Sequence, residues 1–540
     1  MSAKQKITIN KRNLISSTAV GFIIALCNTS GFVIKHNHSL KFGIVPVLYF
    51  VAALFAASVL TFLIYILSER LFGLSLNNEE EGRKAPFEIF LIGWIFFLIC
   101  WAPIFLALYP GLFAYDNQWQ YYMVVNNDIS THQPVIHTLI LGNIIYITEK
   151  ITGSINKGVA AYTIFQAVVM GAGCSYIAYS VFKRNKSLVP SVLTALFLAF
   201  YPVLTIFVFT GTKDSIFSIA LADFMILNFE LFENPDGFFG KKGKKIFWII
   251  LAFVVLSFRS NAVYPFVLTI PFAAFFIIKK SAKKREALSM ILILAALYVA
   301  YAGPFCSIAA KEKVSKAEMM SVPCQQMMRV YKYHNAELPE EEKALFDEFY
   351  DPDKWYGYYV PEIADASKGS LRMEVYSAKK SEFWGLWKNW LKRYPGEYVD
   401  SFFENTYGFY YMWPKYVLYS YGQEAFTVMH HMQPSVPNSK IPSLYAFLCK
   451  FEDGSIVMGN FFVSWIFAPA TFLFLSVMAI VYVIKGRKYN LCIPIFFIVL
   501  LWMTYLLGPV ASVRYQLYLY ILFPIWPIYM KAAFLKENGR

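Results

Sequence analysis

A few charged side chains in this sequence stand beside long apolar runs, and these are the ones placed to do chemistry. Asp116, in YPGLFAYDNQWQYY, follows an apolar approach and is costly to desolvate there. Such a carboxylate serves as a general base or metal ligand at the mouth of a membrane cleft, or it caps a helix over 117–125. Both readings fit the residues. His132, in the break His132-Gln133-Pro134, either anchors the apolar helix that follows or touches a substrate, while His137 reads as interfacial only. The segment FTGTKDSIF sets Lys213 and Asp214 side by side at the start of an apolar run. Lys213 suits a phosphate, and Asp214 either joins it or caps the helix from Ser215. Arg259 in FRSNAVYP and Arg514 in ASVRYQLY are solitary cations between apolar runs. Each either snorkels to lipid headgroups or belongs to an anion site, where the guanidinium fork suits phosphate.

The elements that must hold these residues are membrane spans. Of 540 residues 57% are hydrophobic and only 16% charged, against about 25% charged in ordinary globular chains. Too few charges remain to cover a soluble surface. The 49 Lys and Arg against 35 Asp and Glu invite a nucleic-acid partner, but their distribution excludes one. Residues 308–455 hold 17 basic and 20 acidic side chains, leaving 32 and 15 elsewhere, mostly in short runs between apolar segments. That is a positive-inside pattern. Seven cysteines are scattered without CxxC or Cys/His metal spacing, and nothing decides whether Cys306, Cys324 or Cys449 forms a disulfide.

Runs able to cross about 30 Å of hydrocarbon begin near 14, 45, 87, 158, 188, 215, 246, 262, 287, 456, 491 and 513. The first follows a basic N-terminus, MSAKQKITINKR, and is read as a retained span rather than a cleaved signal. One more run, VIHTLILGNIIYITEKI (135–151), is nearly as long. If it spans, Lys183, Arg184 and Lys186 fall outside and every later basic run flips with them. If it lies along the outer interface, Arg83, Lys84, the runs at 183–186, 241–245, 279–285 and 485–488, and Lys536 with Arg540 all face the cytoplasm. Charge selects the second arrangement. The expected molecule is an all-α, multi-pass cell-membrane protein of about 12 spans with both termini cytoplasmic. It divides into a transmembrane bundle, 1–307, with a catalytic outer loop at 109–157; a mainly helical extracytoplasmic domain, 308–455; and C-terminal spans, 456–540. In that domain, 340–350 open on Glu340, Glu341 and Glu342, as a helix dipole favours. Residues 381–393 align Trp384, Trp387 and Leu391, with Ser381 as cap, for a helix on the membrane surface or in a packed core. Gln325, Gln326 and Arg329 offer sugar or phosphate contacts there, or support the domain's fold.

In this order the residues resemble the GT-C superfamily of integral-membrane glycosyltransferases, which includes protein O-mannosyltransferases, oligosaccharyltransferases and the lipid A aminoarabinose transferase. The pattern falls on Asp116, on His132-Gln133-Pro134, on VIHTLILGNIIYITEKITG and on Arg514-Tyr515, covering roughly 87–307 and 491–530. SVPCQQMMRVYKY (321–333) and RYPGEYVDSFFENTYGFYYMWP (393–414) look like segments of a bacterial family of GT-C-like membrane proteins without an assigned substrate. The resemblance implies a GT-C-like bundle, a polyprenyl-phosphate sugar donor, and a cell-envelope glycan, lipid or protein acceptor on the outer face, with membrane lipids around it. Asp116 is then catalytic, Arg514, Arg259 and Lys213 bind the donor phosphate, and His132, Asp214, Gln325, Gln326 and Arg329 support substrate or structure. Many members carry a paired Asp-Glu in the first loop, whereas Asn117 follows Asp116 here, so a divalent metal stays possible without the support of a paired-acid motif, and no cofactor is assigned. Two rival classes stay open. A transporter or flippase for a lipid-linked or anionic solute would use the same cations, although no inverted repeat is visible and the outer domain has no evident use in alternating access. A non-catalytic assembly partner of a cell-envelope complex would need Asp116 only as a cap.

Overall fold

The computed structural model describes residues 11–77, 86–113, 115–313, 315–351, 359–414, 438–452 and 460–537. The basic stretch before Lys11, Arg83, Lys84 and Arg540 lie outside them. Among the described residues all regular structure is helical, with four isolated β-bridges and no strand.

The first half of the chain runs through α1 (Lys11–Asn37), α2 (Ile44–Asn77), α3 (Glu88–Leu108), α4 (Tyr115–Val125), α5 (Val135–Thr152), α6 (Ile155–Asn185), α7 (Leu188–Phe200), α8 (Pro202–Val208) and α9 (Lys213–Glu233). Then come α10 (Pro235–Phe239), α11 (Lys242–Phe258), α12 (Val263–Lys280) and α13 (Lys284–Ala300), the last continuing through a π-helical turn to Ala309. Helix α9 is the hub. Its apolar window is 94% buried, against 11% for α2, α3 and α12, so it carries Ser218, Asp223 and Asn228 inside the bundle while the outer helices show apolar faces to lipid.

The segment expected to form the outer domain comprises α14 (Ser321–His334), α15 (Glu340–Phe349), α16 (Ala364–Gly369), α17 (Met373–Ala378), α18 (Lys380–Arg393) and α19 (Pro395–Thr406). It has its own core of Cys324, Met327, Val330, Phe346, Phe349, Phe383, Trp390 and Tyr398. The chain returns to the bundle through α20 (Pro442–Glu452), α21 (Phe461–Phe467), α22 (Pro469–Lys485), α23 (Cys492–Tyr505), α24 (Val513–Leu522) and α25 (Trp526–Glu537).

Among the described residues eight helices are long and apolar enough to cross a membrane, or ten if two bent pairs each count as one span. The bends, 64° between α7 and α8 and 53° between α21 and α22, fall where Pro202 and Pro469 disfavour helix at the residue before them. Of the twelve expected runs, α11 with 17 residues and the apolar helix Tyr489–Tyr505 fall short of a full crossing by length, which separates the counts. Helix α5 is not among the candidate spans and packs on α4 and α6. Helix α18 begins one residue before Ser381, with Lys379 at the cap position, and buries Phe383, Leu386 and Trp390. It is a packed core helix, with Trp384, Trp387 and Leu391 only partly buried at its edge.

Candidate functional site

Charged side chains are cheapest to keep in a membrane protein at helix ends, and five of them meet at one end of this bundle. Asp116 lies in the first turn of α4, Lys213 and Asp214 open α9, Arg259 ends α11, and Arg514 sits in the first turn of α24. Short backbone pairings hold these ends in register. Gly111 has φ +118°, a conformation that suits glycine, and a Cβ there would lie 2.3 Å from the Thr163 methyl. Just beyond it, Leu112 N–H donates to Phe209 O (2.8 Å) and Gly211 N–H to Leu112 O (3.0 Å), tying the Asp116 loop to the Lys213 loop. Gln166 donates through Nε2 to the carbonyls of Phe207, Val208 and Thr210 at 3.1, 2.8 and 2.7 Å, fixing the same turn from below.

The outer domain is stitched to this end twice. Lys311 N–H donates to Ile129 O (2.8 Å) and Thr131 N–H to Glu312 O (2.9 Å), beside His132. Ala364 N–H donates to Pro509 O (2.7 Å), and Asn405 Nδ2 donates to Gly508 O (2.9 Å), next to Arg514. Between bundle and domain lies a cavity of about 1370 Å³ lined by Asp116, His132, Gln133, Lys213, Arg259 and Arg514 on one side and, on the other, by Lys311, Lys313 and Lys316 with Glu312, and by Lys368 paired with Glu318 and Asp365.

On the bundle side of the cavity three cations share two acids. Arg514 Nη1 meets Asp116 Oδ2 at 2.7 Å, and Lys213 Nζ approaches the same oxygen at 3.4 Å while donating to Gln133. Arg259 pairs with Asp214, whose other oxygen lies 3.9 Å from Arg514 Nε. Burial raises the proton affinity of Asp116, but Arg514 and then Lys213 outweigh it and hold the carboxyl well below the usual carboxylate range. Neither acid is a simple cap. Asp116 faces the cations, and at α9 the cap is Thr212, whose hydroxyl accepts from Asp214 N–H, leaving the fully buried Asp214 as counter-ion to Arg259.

Two aromatic rings order the cations. Tyr515 lies 4.6 Å from the Arg259 guanidinium and 4.9 Å from that of Arg514, and Tyr505 stacks on it with centroids 5.6 Å apart. A ring close to both guanidiniums offsets part of their mutual repulsion by cation–π attraction. Arg259 Nε is buried with no hydrogen-bond partner among the described residues, a donor left for a ligand or water.

The other residues singled out in the sequence divide sharply. His132 lines the cavity and is exposed. His137, expected at the interface, is wholly buried, bonded at Nδ1 to Gln120 (3.1 Å) and at Nε2 to Tyr162 (2.7 Å). Burial and then the Lys213 charge push its pKa down to about 3, so the ring is neutral and links α4 and α5 to Tyr162 and Gln166 of α6. Gln325, Gln326 and Arg329 lie away from the cavity. Gln325 donates to Val360 and Pro361 carbonyls, Gln326 to Tyr398 O, and Arg329 is enclosed by Glu397 (2.7 Å), Glu404, Asp400 (3.7 Å) and the carbonyl of His38 (2.6 Å). These three serve the domain's fold and its seat on the α1–α2 turn. None of the seven cysteines is in a disulfide. Among the described residues no group of three His, Cys, Asp or Glu side chains is arranged to hold a metal. Gln133 and Tyr515 entered the sequence reading only inside the motifs His132-Gln133-Pro134 and Arg514-Tyr515, with no role of their own, and Tyr505 did not enter it, because uncharged groups stand out only against known neighbours.

A helical bundle with eight to ten candidate spans and a charged cavity at one end defines an integral-membrane protein. Residues 121–534 match the model of a family described as "Family of unknown function (DUF6020)", and the chain belongs to that family. The match takes in Lys213, Asp214, Arg259 and Arg514. No curated protein and no solved structure matches the chain.

Proposed function

We propose that this protein is a membrane glycosyltransferase of GT-C type, moving a sugar from a polyprenyl-phosphate-linked donor to a cell-envelope acceptor on the outer face. The carrying observation is the convergence of Lys213, Arg259 and Arg514 with Asp116 in one large cavity between bundle and outer domain. Three cations against two acids leave an excess positive charge that a phosphate neutralises. In this reading α11 and Tyr489–Tyr505 complete twelve crossings, and both termini are cytoplasmic.

The ion pairs suggest an order of events. With the site empty, Asp116 is tied to Arg514 and Lys213 and is a poor base. A donor phosphate competes for those cations and releases the carboxylate, whose proton affinity then rises. The acceptor hydroxyl oxygen attacks the anomeric carbon, its proton passes to Asp116, and the bond from that carbon to the phosphate oxygen breaks. The electron pair leaves with the polyprenyl phosphate, where Arg259 and Arg514 stabilise the charge.

The test is reconstitution. Purified protein in vesicles, given polyprenyl-phosphate-linked sugars and cell-envelope acceptors, is expected to transfer sugar and release polyprenyl phosphate in equal amounts. Movement of intact lipid-linked sugar across the bilayer without transfer would replace this reading with the flippase.

A further inference from the structure

At the opposite end of the bundle lies a second cavity, about 340 Å³, enclosed by α9, α11, α12, α13 and α23. That volume is in the range of ligand pockets. Its wall on α12 is one helical stripe, Phe266, Ile270, Ala273, Ile277 and their neighbours, running about 18 Å by helix rise. The polar side chains higher in the lining are already engaged, since Asn228 accepts the Trp248 indole N–H and the Thr269 hydroxyl bonds back to Pro265. Hydrocarbon is therefore what this space accepts. Helix α12 packs mainly on α23 and α13 mainly on α11, so the two diverge and leave a cleft toward the lipid.

The mouth has the opposite character. Lys284 belongs to the lining, and Lys279, Lys280, Lys283 and Arg285 crowd the same short turn between α12 and α13. None of the five is in an ion pair among the described residues. The acids nearby are Glu286, and Asp236, which is bonded to the Ser281 hydroxyl and Ala282 N–H.

We propose that this pocket is a binding site for an anionic phospholipid of the leaflet that faces this turn, one acyl chain filling the pocket and the phosphate resting on Lys284 and its neighbours. The depth fits, because half of a hydrocarbon core of about 30 Å is about 15 Å, close to the length of the stripe. The charge fits as well, since clustered basic residues beside a span attract acidic headgroups. The site is separate from the charged cavity and does not depend on its chemistry.

Native mass spectrometry of the full chain in detergent, titrated with phosphatidylglycerol or phosphatidylcholine, tests this. Wild type is expected to retain one phosphatidylglycerol at least about tenfold more tightly than phosphatidylcholine. Replacing Lys279, Lys280, Lys284 and Arg285 together by Gln should erase that preference, and Ala273→Trp, which fills the pocket, should abolish retention of both lipids. Equal retention of the two lipids by wild type overturns the proposal. So does unchanged preference in the Gln variant, which leaves the pocket intact and guards against misfolding of the Trp variant. Retention of polyprenyl phosphate with no phosphatidylglycerol bound would likewise overturn it and assign the pocket to a prenyl chain.

Discussion

At Asp116 two demands pull against each other, because the carboxylate that would accept a proton is also the internal anion that neutralises Arg514 and Lys213. Asp116→Asn separates them. The amide keeps the shape but gives up both the charge and the proton affinity, so a folded protein is expected whose sugar transfer falls by about 10²–10⁴. Its donor binding should be unchanged or tighter, since Arg514 no longer has a competing anion. Transfer within about twofold of wild type would remove Asp116 from the chemistry. Arg514 is tested the other way. Arg514→Ala should weaken donor binding by about 1.5–3 kcal/mol, and Arg514→Lys should restore part of it, because an ammonium lacks the planar fork and stacks less well on Tyr515. Full restoration by Lys would mean a headgroup contact rather than a phosphate clamp. These charged residues were legible in the sequence because charge beside apolar runs demands an explanation. Gln133 and Tyr515 stood only as members of the motifs His132-Gln133-Pro134 and Arg514-Tyr515, and their roles emerge when folding brings them to Lys213 and the two arginines.

Among the elements, the outer domain is the part whose stability should respond to pH. His334, near the end of α14, pairs with Glu397 (3.2 Å) and Glu337 (3.1 Å) and stacks on Tyr394. Burial lowers its pKa, but the bonds to Glu397 and Glu337 prevail and raise it. A raised folded-state value makes the stabilisation complete below the unfolded value of about 6.5, and it is lost as pH rises through the folded value. Thermal unfolding of the outer domain should therefore move to lower temperature as pH climbs from about 6 to 8, and His334→Gln should flatten that slope. An equal slope in the variant would place the sensitivity elsewhere. Element boundaries show what local sequence conveys. The acid-rich start of α15 was readable from its dipole, whereas the bends before Pro202 and Pro469 turned two expected straight spans into broken ones. The buried face of α18 was hidden because Trp384 and Trp387 stand out in sequence, while the core takes Phe383, Leu386 and Trp390. A stripe names a face, and only the neighbours decide which face is buried.

For the whole molecule the basic residues make a definite forecast of which side of the membrane each end of the bundle occupies. The charged cavity and the outer domain share one end of α9, while Lys183, Lys244 and the turn at 279–285 belong to the other. A positive-inside distribution then puts the cavity outside the cell and those lysines within. Single cysteines are the probe, in a background with the seven native thiols replaced. Ser130 and Ser370 are buried and would report packing instead of sidedness, so exposed positions are needed. Asp128 and Ser381 on the cavity end and Gly243 on the other are exposed, and a Cβ at Gly243 meets nothing within 4 Å. In intact cells an impermeant thiol reagent should label cysteines at 128 and 381 and leave 243 unlabelled until the membrane is opened. The position at 243 carries most weight because it lies in the first turn of the 17-residue α11, the helix on which the number of crossings turns. If α11 crosses, 243 and 381 lie on opposite sides and Arg259 is delivered to the outer cavity. Labelling of 243 in intact cells, with 381 labelled as well, would mean that α11 does not cross as required, and an outward-facing transferase would lose the geometry on which it rests.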